Sequence, residues 1–243
     1  MKAIALDFEA TDATEDAQAT EIGIMGVDFY DGILDKSDDQ KDVTSKRCKP
    51  DRPISFGAMA VTNIFTEDLQ HCDGHTVICA QMMPQGAAYI IGHNIDFDIR
   101  VAANAGVDVS QYKAICTLAM ARNLYPDADS HTLGAMSCML DYEYARANMK
   151  DAHGAAADVV MTARLLYIIC KNQNIASMDQ LYEFSEEARI PLTFTFGKHQ
   201  GKTIKDIAVT DRGYLQWIIK NHDNAYLVKA CLDAITGNIN INV

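Results

Sequence analysis

Two carboxylates lie close together near the start of the chain, in the segment Asp7-Phe8-Glu9. Residues 3–7 form a short apolar run that ends in an acid, which predicts a buried β-strand. Side chains two positions apart on a strand point to the same face. Like charges at close range raise each other's pKa, and a hard divalent cation such as Mg²⁺ relieves their repulsion. The segment therefore indicates a metal site at the end of a strand.

The same spacing occurs a second time, at Asp141-Tyr142-Glu143. This copy lies between two predicted helices, and there we expect only solvated surface. Position separates the two copies, because α/β proteins place their sites at strand ends that face a crevice.

Asp98 is the third candidate. It follows an apolar strand predicted over residues 87–91 and lies in Gly92-His93-Asn94-Ile95-Asp96-Phe97-Asp98, which opens a helix. A carboxylate in the first turn of a helix is stabilised by the helix dipole. The alternative interpretation is that Asp96 and Asp98 only place negative charge at this helix start.

His153 and Asp158 complete the candidate set. They are five residues apart, so the histidine can lie on a loop while the acid lies inside the helix predicted over residues 153–171. His93 and Asp98 share this spacing, which makes His93 a competitor for the role of general base. A structural histidine is the alternative interpretation of His153.

The elements that must position these residues alternate between strands and helices, which predicts an α/β layered domain. A further strand is expected over residues 21–29, with a hairpin turn at Asp31-Gly32 and an exposed loop over 35–42. The predicted helices start at Ile95 and cover residues 117–124, 132–140, 153–171, 177–187, 203–209, 211–221 and 224–236.

Composition places limits on the class of protein. The 243 residues are 49% hydrophobic and 22% charged, which excludes a disordered or collagen-like chain. No apolar run reaches the ~18–20 residues that span a bilayer, and acids within the first residues argue against a signal peptide, so we expect no membrane partner. Seven dispersed cysteines without zinc-finger spacing favour a reducing, cytoplasmic location.

The C-terminal part differs in charge from the rest. Residues 190–243 hold 6 basic and 4 acidic side chains, a net charge of +2 within a chain of net charge −12. The loop Gly197-Lys198-His199-Gln200-Gly201-Lys202 predicts that Lys198 and Lys202 contact DNA phosphates, and the alternative is a purely structural hairpin. We expect Phe196, Tyr214 and Trp217 to form the small core of this unit, and the alternative is a platform on which bases stack.

Three ordered motifs, D-x-E at residues 7–9, G-H-N-x-x-F-D at 92–98 and H-x-A-x-x-D at 153–158, together resemble the DEDD superfamily of 3′→5′ exonucleases. The match is to the branch with a histidine base. The segments KPDRPISFGAMAVTNI and TFTFGKHQGK…DRGYLQWIIKN resemble its exodeoxyribonuclease X-like members, and the resemblance runs from about residue 3 to 225.

The resemblance implies a ribonuclease H-like fold, in which helices flank a mixed central sheet, with an exonuclease domain over residues 1–175. A small C-terminal α+β module over 176–243 follows. It further implies that Asp7, Glu9 and Asp158 bind one Mg²⁺, that Asp7 and Asp98 bind a second, with Mn²⁺ as a substitute, and that His153 is the general base. The implied substrate contacts near the acids are Phe8, Ala10, Thr11, His93 and Asn94. Ala10 departs from the family pattern, which has a threonine directly after the glutamate.

The predicted reaction is two-metal hydrolysis of DNA from a free 3′ end, in single strands, to nucleoside 5′-monophosphates. Two alternatives stay open at this point. One is an exoribonuclease of the same fold, because the contacts that sense a 2′-hydroxyl leave no mark in the sequence. The other is a non-catalytic nucleic-acid-binding protein, which the clustered carboxylates disfavour because they repel phosphate.

Overall fold

The computed structural model of the protein describes residues 2–34, 43–86, 88–148 and 154–237. Contacts divide the chain into two units, Met1–Ser185 and Glu186–Val243. The sequence predicts a linker helix together with the small module over residues 176–243. The α-helix Met178–Ala188 buries Leu181 and Ser185, and Ser185 Oγ accepts a 2.8 Å hydrogen bond from the Cys116 amide. The first part of this helix therefore packs with the first unit.

The strands belong to one sheet of five and one hairpin of two. The sheet has the order β5-β2-β1-β6-β7, antiparallel from β5 to β1 and parallel from β1 to β7. The strands are β1 (Lys2–Ala10), β2 (Ala19–Gly26), β3 (Phe29–Tyr30), β4 (Ile33–Leu34), β5 (Val43–Arg47), β6 (Ala88–Gly92) and β7 (Tyr112–Cys116).

The α-helices agree closely with the periodicity of the sequence. The helix predicted over residues 117–124 has these same bounds, α3 starts at Ile95 as predicted, and the bounds of the other predicted helices shift by at most two residues. They are α1 (Phe56–Thr62), α2 (His75–Met82), α3 (Ile95–Asn104), α4 (Thr117–Leu124), α5 (Leu133–Leu140), α6 (Tyr142–Asn148), α7 (Ala155–Gln173), α8 (Met178–Ala188), α9 (Ile204–Thr210), α10 (Arg212–Asn221) and α11 (Ala225–Thr236).

Side-chain caps explain several of the helix starts. Thr132 accepts a hydrogen bond from the Ala135 amide at the start of α5, and Asn224 accepts one of 3.0 Å from the Leu227 amide at the start of α11. Such caps stabilise a helix by about 1 kcal/mol each because they satisfy amides that have no partner inside the helix. The predicted hairpin turn is present between β3 and β4.

Two strands of the sheet carry no clear signal in the sequence. The edge strand β5 has the sequence VTSKR and is largely exposed, so it lacks the apolar alternation of a half-buried strand. The strand β7 is only five residues long and directly precedes α4. In the second unit, the alternating segment 193–196 forms an isolated bridge, Thr193 to Thr203, and no regular strand.

The two faces of the sheet have different tasks. Leu6, Phe8 and Ile22 point to one face, where they pack in a hydrophobic cluster with residues of α2 and α3. Asp7, Glu9 and Gly23 alternate with them and therefore point to the other face, where the start of α7 approaches β2. Within the described ranges, none of the helices is both long enough and apolar enough to cross a bilayer.

Candidate active site

The strand β1 carries the first two acids to the end of the sheet. Asp7 lies opposite Gly23 of β2, and Glu9 lies opposite Glu21. The register shifts between Glu9 and Ala10, which marks a β-bulge directly after the second acid. Bulges bend a strand and re-aim its side chains, and they are common beside active sites.

Helix α3 supplies the third acid from the neighbouring strand connection. Asp98 is 4% exposed, and its Oδ1 accepts a 3.0 Å hydrogen bond from the Phe8 amide. This bond ties the first turn of α3 to the main chain of β1 between the two acids. A Cβ at Gly92 would lie 2.8 Å from Ile95 Cδ1 and 3.2 Å from Asp98 Oδ2, so glycine at the end of β6 permits this close approach.

Helix α7 supplies the fourth acid, Asp158, from its first turn. The helix approaches β2 so closely that a Cβ at Gly23 would lie 2.5 Å from the Ala155 carbonyl oxygen and 2.6 Å from its carbonyl carbon. Because Gly23 is the register partner of Asp7, this contact determines how near Asp158 comes to the acids of β1. Gly23 lies in a predicted strand but is not among the site residues predicted from the sequence.

Asp7, Glu9 and Asp158 form one cluster, in which each offers a carboxylate oxygen within 4.8 Å of the others. Burial raises the pKa of Asp7 well above its usual value, and repulsion from Asp98, Asp158 and Glu9 adds to the effect. Burial and repulsion from Asp158 and Glu21 raise the pKa of Glu9 to about 7. The pKa of Asp98 is also raised by burial, although hydrogen bonds from main-chain amides oppose this.

The cluster fits a hard divalent cation. Its donors are all carboxylate oxygens, which Mg²⁺, Mn²⁺ and Ca²⁺ prefer. Such ions bind oxygen at about 2.0–2.6 Å, so one ion spans ligand pairs up to about 4–5 Å apart. The three oxygens lie within that span. A bound cation also offsets the repulsion that raises the pKa values of these carboxyl groups.

Glu21 is a further carboxylate beside the cluster, and it is not among the site residues predicted from the sequence. Its charge raises the pKa of both Asp7 and Glu9, and its Oε1 accepts a hydrogen bond from Ser45 Oγ of the edge strand β5. Only the register of β1 with β2 places Glu21 opposite Glu9. The predicted strand over residues 21–29 contains Glu21 but gives no indication of that pairing.

The two candidate histidines have different positions. His153 lies outside the described residues. The His93 ring is held between Thr117 Oγ1, 2.9 Å from Nδ1, and the His131 carbonyl oxygen, 2.7 Å from Nε2. A carbonyl oxygen can only accept, so Nε2 donates to the His131 carbonyl oxygen. The Thr117 hydroxyl has one proton, and it lies within hydrogen-bond distance of both Nδ1 and the Gly92 carbonyl oxygen, 3.2 Å away. Burial lowers the pKa of His93. Both ring nitrogens therefore face protein atoms at hydrogen-bond distance.

The predicted substrate contacts near the acids differ in exposure. The side chains of Phe8, Ala10 and Thr11 are 4%, 7% and 0% exposed. Thr11 Oγ1 accepts a 3.1 Å hydrogen bond from the Gln18 amide and so supports the loop after β1. Asn94 is exposed at the turn between β6 and α3, with a left-handed φ of 76°. Of these four side chains, only that of Asn94 is open to solvent.

The second unit holds the two predicted phosphate contacts. Lys198 Nζ lies 2.7 Å from Asp211 Oδ2, and hydrogen bonds from Lys198 and His199 lower the pKa of Asp211 to about 2. Lys202 is exposed and has no ion-pair partner among the residues whose placement is described. The charge of Lys202 is thus more available to a ligand than that of Lys198.

The comparisons with known families match both parts of the chain. Residues 4–166 match the family described as "Exonuclease", and residues 194–223 match the family described as "Exodeoxyribonuclease X-like C-terminal". The first match lies within the domain predicted over residues 1–175, and the second lies within the module predicted over 176–243. An exonuclease family of this kind implies dependence on a divalent metal, which agrees with the carboxylate cluster.

Curated relatives include exodeoxyribonuclease 10 of Escherichia coli strain K12, 31% identical over 208 residues, which cover 84% of this chain and 86% of the relative. A second relative is the PolC-type DNA polymerase III of Latilactobacillus sakei. It is 28% identical over 156 residues, which cover 58% of this chain and 10% of the polymerase.

Solved structures share the fold. Exonuclease X in complex with 5′ overhanging duplex DNA aligns with a TM-score of 0.56 and 22% identity, over 75% of this chain and 99% of that one. Exonuclease I of E. coli with a dA16 oligonucleotide aligns with a TM-score of 0.57 and 16% identity, over 80% of this chain and 46% of that one. The predicted mixed sheet flanked by helices is confirmed. The chain belongs to the exonuclease family and has the C-terminal segment of its exodeoxyribonuclease X-like members.

Proposed function

We propose that this exonuclease hydrolyses DNA from the 3′ end and releases nucleoside 5′-monophosphates with the help of two Mg²⁺ ions. The observation that carries the proposal is the cluster of Asp7, Glu9 and Asp158, whose oxygens lie within 4.8 Å of one another. DNA as substrate is supported by the relative named exodeoxyribonuclease 10 and by solved structures of similar fold that hold DNA.

Each acid has a proposed task. Asp7, Glu9 and Asp158 hold one Mg²⁺, and Asp7 together with Asp98 holds the second, with Mn²⁺ as a substitute. Two bound ions supply an activated water and stabilise the charge that develops on the scissile phosphate. The hydrogen bond from the Phe8 amide fixes the Asp98 carboxylate relative to β1.

His153 is the proposed general base, which takes a proton from the attacking water at a ring nitrogen. A histidine with an ordinary pKa of ~6.5 is largely neutral near pH 7.5 and can accept a proton. The competing assignment to His93 is disfavoured because both ring nitrogens of His93 are engaged by Thr117 and His131. We propose instead that His93 supports the turn that leads into α3.

Exchange of either histidine for alanine separates these roles. His153→Ala is expected to lower kcat by about 100-fold to 10,000-fold, the usual contribution of general-base catalysis, while Mg²⁺ affinity and melting temperature stay near those of the parent. His93→Ala leaves buried hydrogen-bond partners unsatisfied, so it is expected to lower the melting temperature first. Single-turnover kinetics and thermal melts measure both effects. A larger loss of kcat in His93→Ala than in His153→Ala, with both variants folded, would reverse the assignment.

The proposed substrate contacts follow from exposure. Asn94 is exposed beside Asp98 and can contact the substrate with its side chain. Phe8, Ala10 and Thr11 are buried, so we propose that this stretch contacts the terminal nucleotide through its main chain. Lys202, with a smaller share from Lys198, is proposed to contact DNA phosphates in the second unit. Buried cysteines outside disulfides, among them Cys48, Cys79 and Cys170, support the proposal of a reducing, cytoplasmic location.

Labelled oligonucleotides test the proposed reaction. With Mg²⁺, single-stranded DNA labelled at the 3′ end is expected to release labelled mononucleotide at once. A strand labelled at the 5′ end is expected to shorten stepwise and to keep its label until late. EDTA is expected to abolish both, and Mn²⁺ is expected to restore them. Release that survives EDTA would contradict the metal mechanism, and early release of a 5′ label would contradict the direction. RNA of the same sequence tests the exoribonuclease alternative, and no cleavage of either polymer would favour a purely binding role.

A further inference from the structure

The second unit exposes two pairs of stacked aromatic rings. Trp217 is 55% exposed and stacks on Tyr214, with ring centroids 6.1 Å apart and planes 22° apart. Phe196 is 38% exposed and stacks on His222, with centroids 5.3 Å apart and planes 29° apart. We call Phe196, Tyr214, Trp217 and His222 the aromatic surface.

A buried ring holds the two pairs together. Phe194 is 1% exposed and meets Phe196 edge-on at 6.3 Å and Tyr214 edge-on at 5.4 Å. The aromatic surface is therefore supported from below by a residue of the core. Phe194 contacts one ring of each pair, and a ring that is packed against the core loses less conformational entropy when a ligand stacks on it.

Stability of the unit does not explain the exposure of these rings. Its core is built from Phe194 and aliphatic residues such as Ile207, Leu215 and Ile218, which are 0–1% exposed. The prediction that Phe196, Tyr214 and Trp217 form this core is right only for Tyr214, which packs against it. Phe196 and Trp217 are exposed, and Trp217 lies away from Leu215 and Ile218, the buried side of α10. An exposed tryptophan on a supported surface is more typical of a binding site than of a fold.

Cations lie beside the rings. Lys198 Nζ is 5.0 Å from the centroid of the Tyr214 ring. Lys220 is exposed three residues after Trp217 on α10, a spacing that places two side chains on the same face of a helix. The second unit, Glu186–Val243, holds 7 basic and 6 acidic side chains, a net charge of +1, whereas the whole chain carries −12. The unit with the aromatic surface therefore repels a polyanion less than the rest of the chain does.

We propose that the aromatic surface binds single-stranded DNA by stacking unpaired bases on Trp217 and Phe196, while Lys198, Lys202 and Lys220 lie near its phosphates. Every base has a flat π-face, so stacking of this kind tolerates any sequence, as an exonuclease that reads through DNA requires. A purely apolar protein partner would gain nothing from the cations. The inference rests on the proposed function, because it takes DNA as the ligand.

Trp217 is the one tryptophan in the sequence, so its fluorescence reports directly on the site. The full chain is titrated in EDTA, which prevents hydrolysis, with an oligothymidylate whose binding is followed by fluorescence anisotropy. Trp217 emission is expected to fall in step with binding. An abasic oligonucleotide of the same length keeps the phosphates without the bases, and it is expected to leave the emission nearly unchanged. An unchanged emission at saturating oligothymidylate, or equal quenching by the abasic strand, would overturn the proposal.

Variants measure the contribution of stacking to affinity. Trp217→Ala is expected to weaken oligothymidylate binding about fivefold or more, and Trp217→Phe is expected to restore most of the loss. Val209→Ala is the matched control, because Val209 is an apolar residue of the same unit with 86% exposure and lies outside the aromatic surface. Equal affinities of Trp217→Ala and Val209→Ala would overturn the proposal, as would loss of self-association in Trp217→Ala without a change in DNA affinity.

An assay of hydrolysis by the parent chain with Mg²⁺, set beside the titration in EDTA, separates this inference from the proposed function. Asp158→Asn is expected to lose hydrolysis and to keep the quenching of Trp217. Quenching without hydrolysis by the parent chain would remove the proposed exonuclease reaction and keep the stacking site. Hydrolysis without quenching would remove the stacking site and keep the reaction.

Discussion

Asp158→Asn is expected to lose hydrolysis by at least about 100-fold and, in EDTA, to melt at a higher temperature than the parent chain. The loss follows because changes in partners of metal ligands already cost about 10–100-fold, and Asp158 is itself a proposed ligand. The gain follows because the Asp158 charge raises the pKa of Asp7 and of Glu9. The variant removes that repulsion with little change in shape.

The size of the gain follows from the pKa of Glu9. A carboxyl pKa raised from 4.5 to about 7 corresponds to about 3 kcal/mol against the charged folded form. Burial is the largest cause and Asp158 the next, so removal of the Asp158 charge is expected to return part of this free energy. In a domain of this size each kcal/mol returned raises the melting temperature by about 2–4 °C.

The rise in melting temperature in Asp158→Asn is expected to become larger as pH increases. As pH rises from about 4.5 to about 7, unfolded Glu9 loses its proton while folded Glu9 keeps it, so the parent chain loses stability over that range. Above about pH 7 Glu9 is charged in both states, so the folded chain bears the full free-energy cost of its buried charge. The melting temperature of Asp158→Asn minus that of the parent is therefore expected to grow from pH 5 to pH 8 in EDTA. Excess Mg²⁺ is expected to reverse the order, because only the parent binds the ion tightly.

Asp141→Asn is the matched control, taken from the second D-x-E copy. Asp141 Oδ2 accepts a 3.0 Å hydrogen bond from Arg164 Nε, so Asp141 has a structural role in the second D-x-E segment. Its removal is expected to lower the melting temperature slightly and to leave hydrolysis intact. Equal melting temperatures of Asp158→Asn and the parent at pH 8 in EDTA would contradict the repulsion, and retained hydrolysis would contradict the ligand assignment.

Gly23→Ala is expected to lower both activity and Mg²⁺ affinity, although the residue has no functional group. Its Cβ would lie 2.5 Å from the Ala155 carbonyl oxygen, and this neighbour is main chain that cannot rotate away. The first turn of α7 has to move, and Asp158 moves with it. A displacement of about 1 Å in an active site costs about 100-fold in rate, and overpacking costs about 1–3 kcal/mol of stability.

Gly26→Ala is the control on the same strand, because a Cβ at Gly26 meets no atom within 4 Å. It is expected to keep the activity, the Mg²⁺ affinity and the melting temperature of the parent. Calorimetric titration with Mg²⁺ and steady-state kinetics measure the difference between the two glycines. If Gly23→Ala bound Mg²⁺ as tightly as Gly26→Ala does, the position of α7 would not control the cluster.

Most of the elements, and the acids that they carry, can be predicted from the sequence. Three local patterns carry the acids: an apolar run that ends at Asp7, a helix that begins before Asp98 and a long helix around Asp158. These patterns depend on hydrogen bonding and burial of neighbouring residues, and not on the path of the rest of the chain. For this reason the helix bounds agree so closely, and for this reason the polar edge strand β5 was missed.

Contacts between side chains that are distant in the sequence depend on the tertiary structure. Glu21 and Gly23 lie opposite Glu9 and Asp7 because β2 pairs with β1 in one register, and a shift by one residue would turn both to the other face. His93 and Trp217 show the same limit, since spacing cannot tell an engaged ring from a free one or a buried ring from an exposed one. Pairing register and the close approach of helix to sheet arise from packing between segments far apart in the chain, and no single segment contains them.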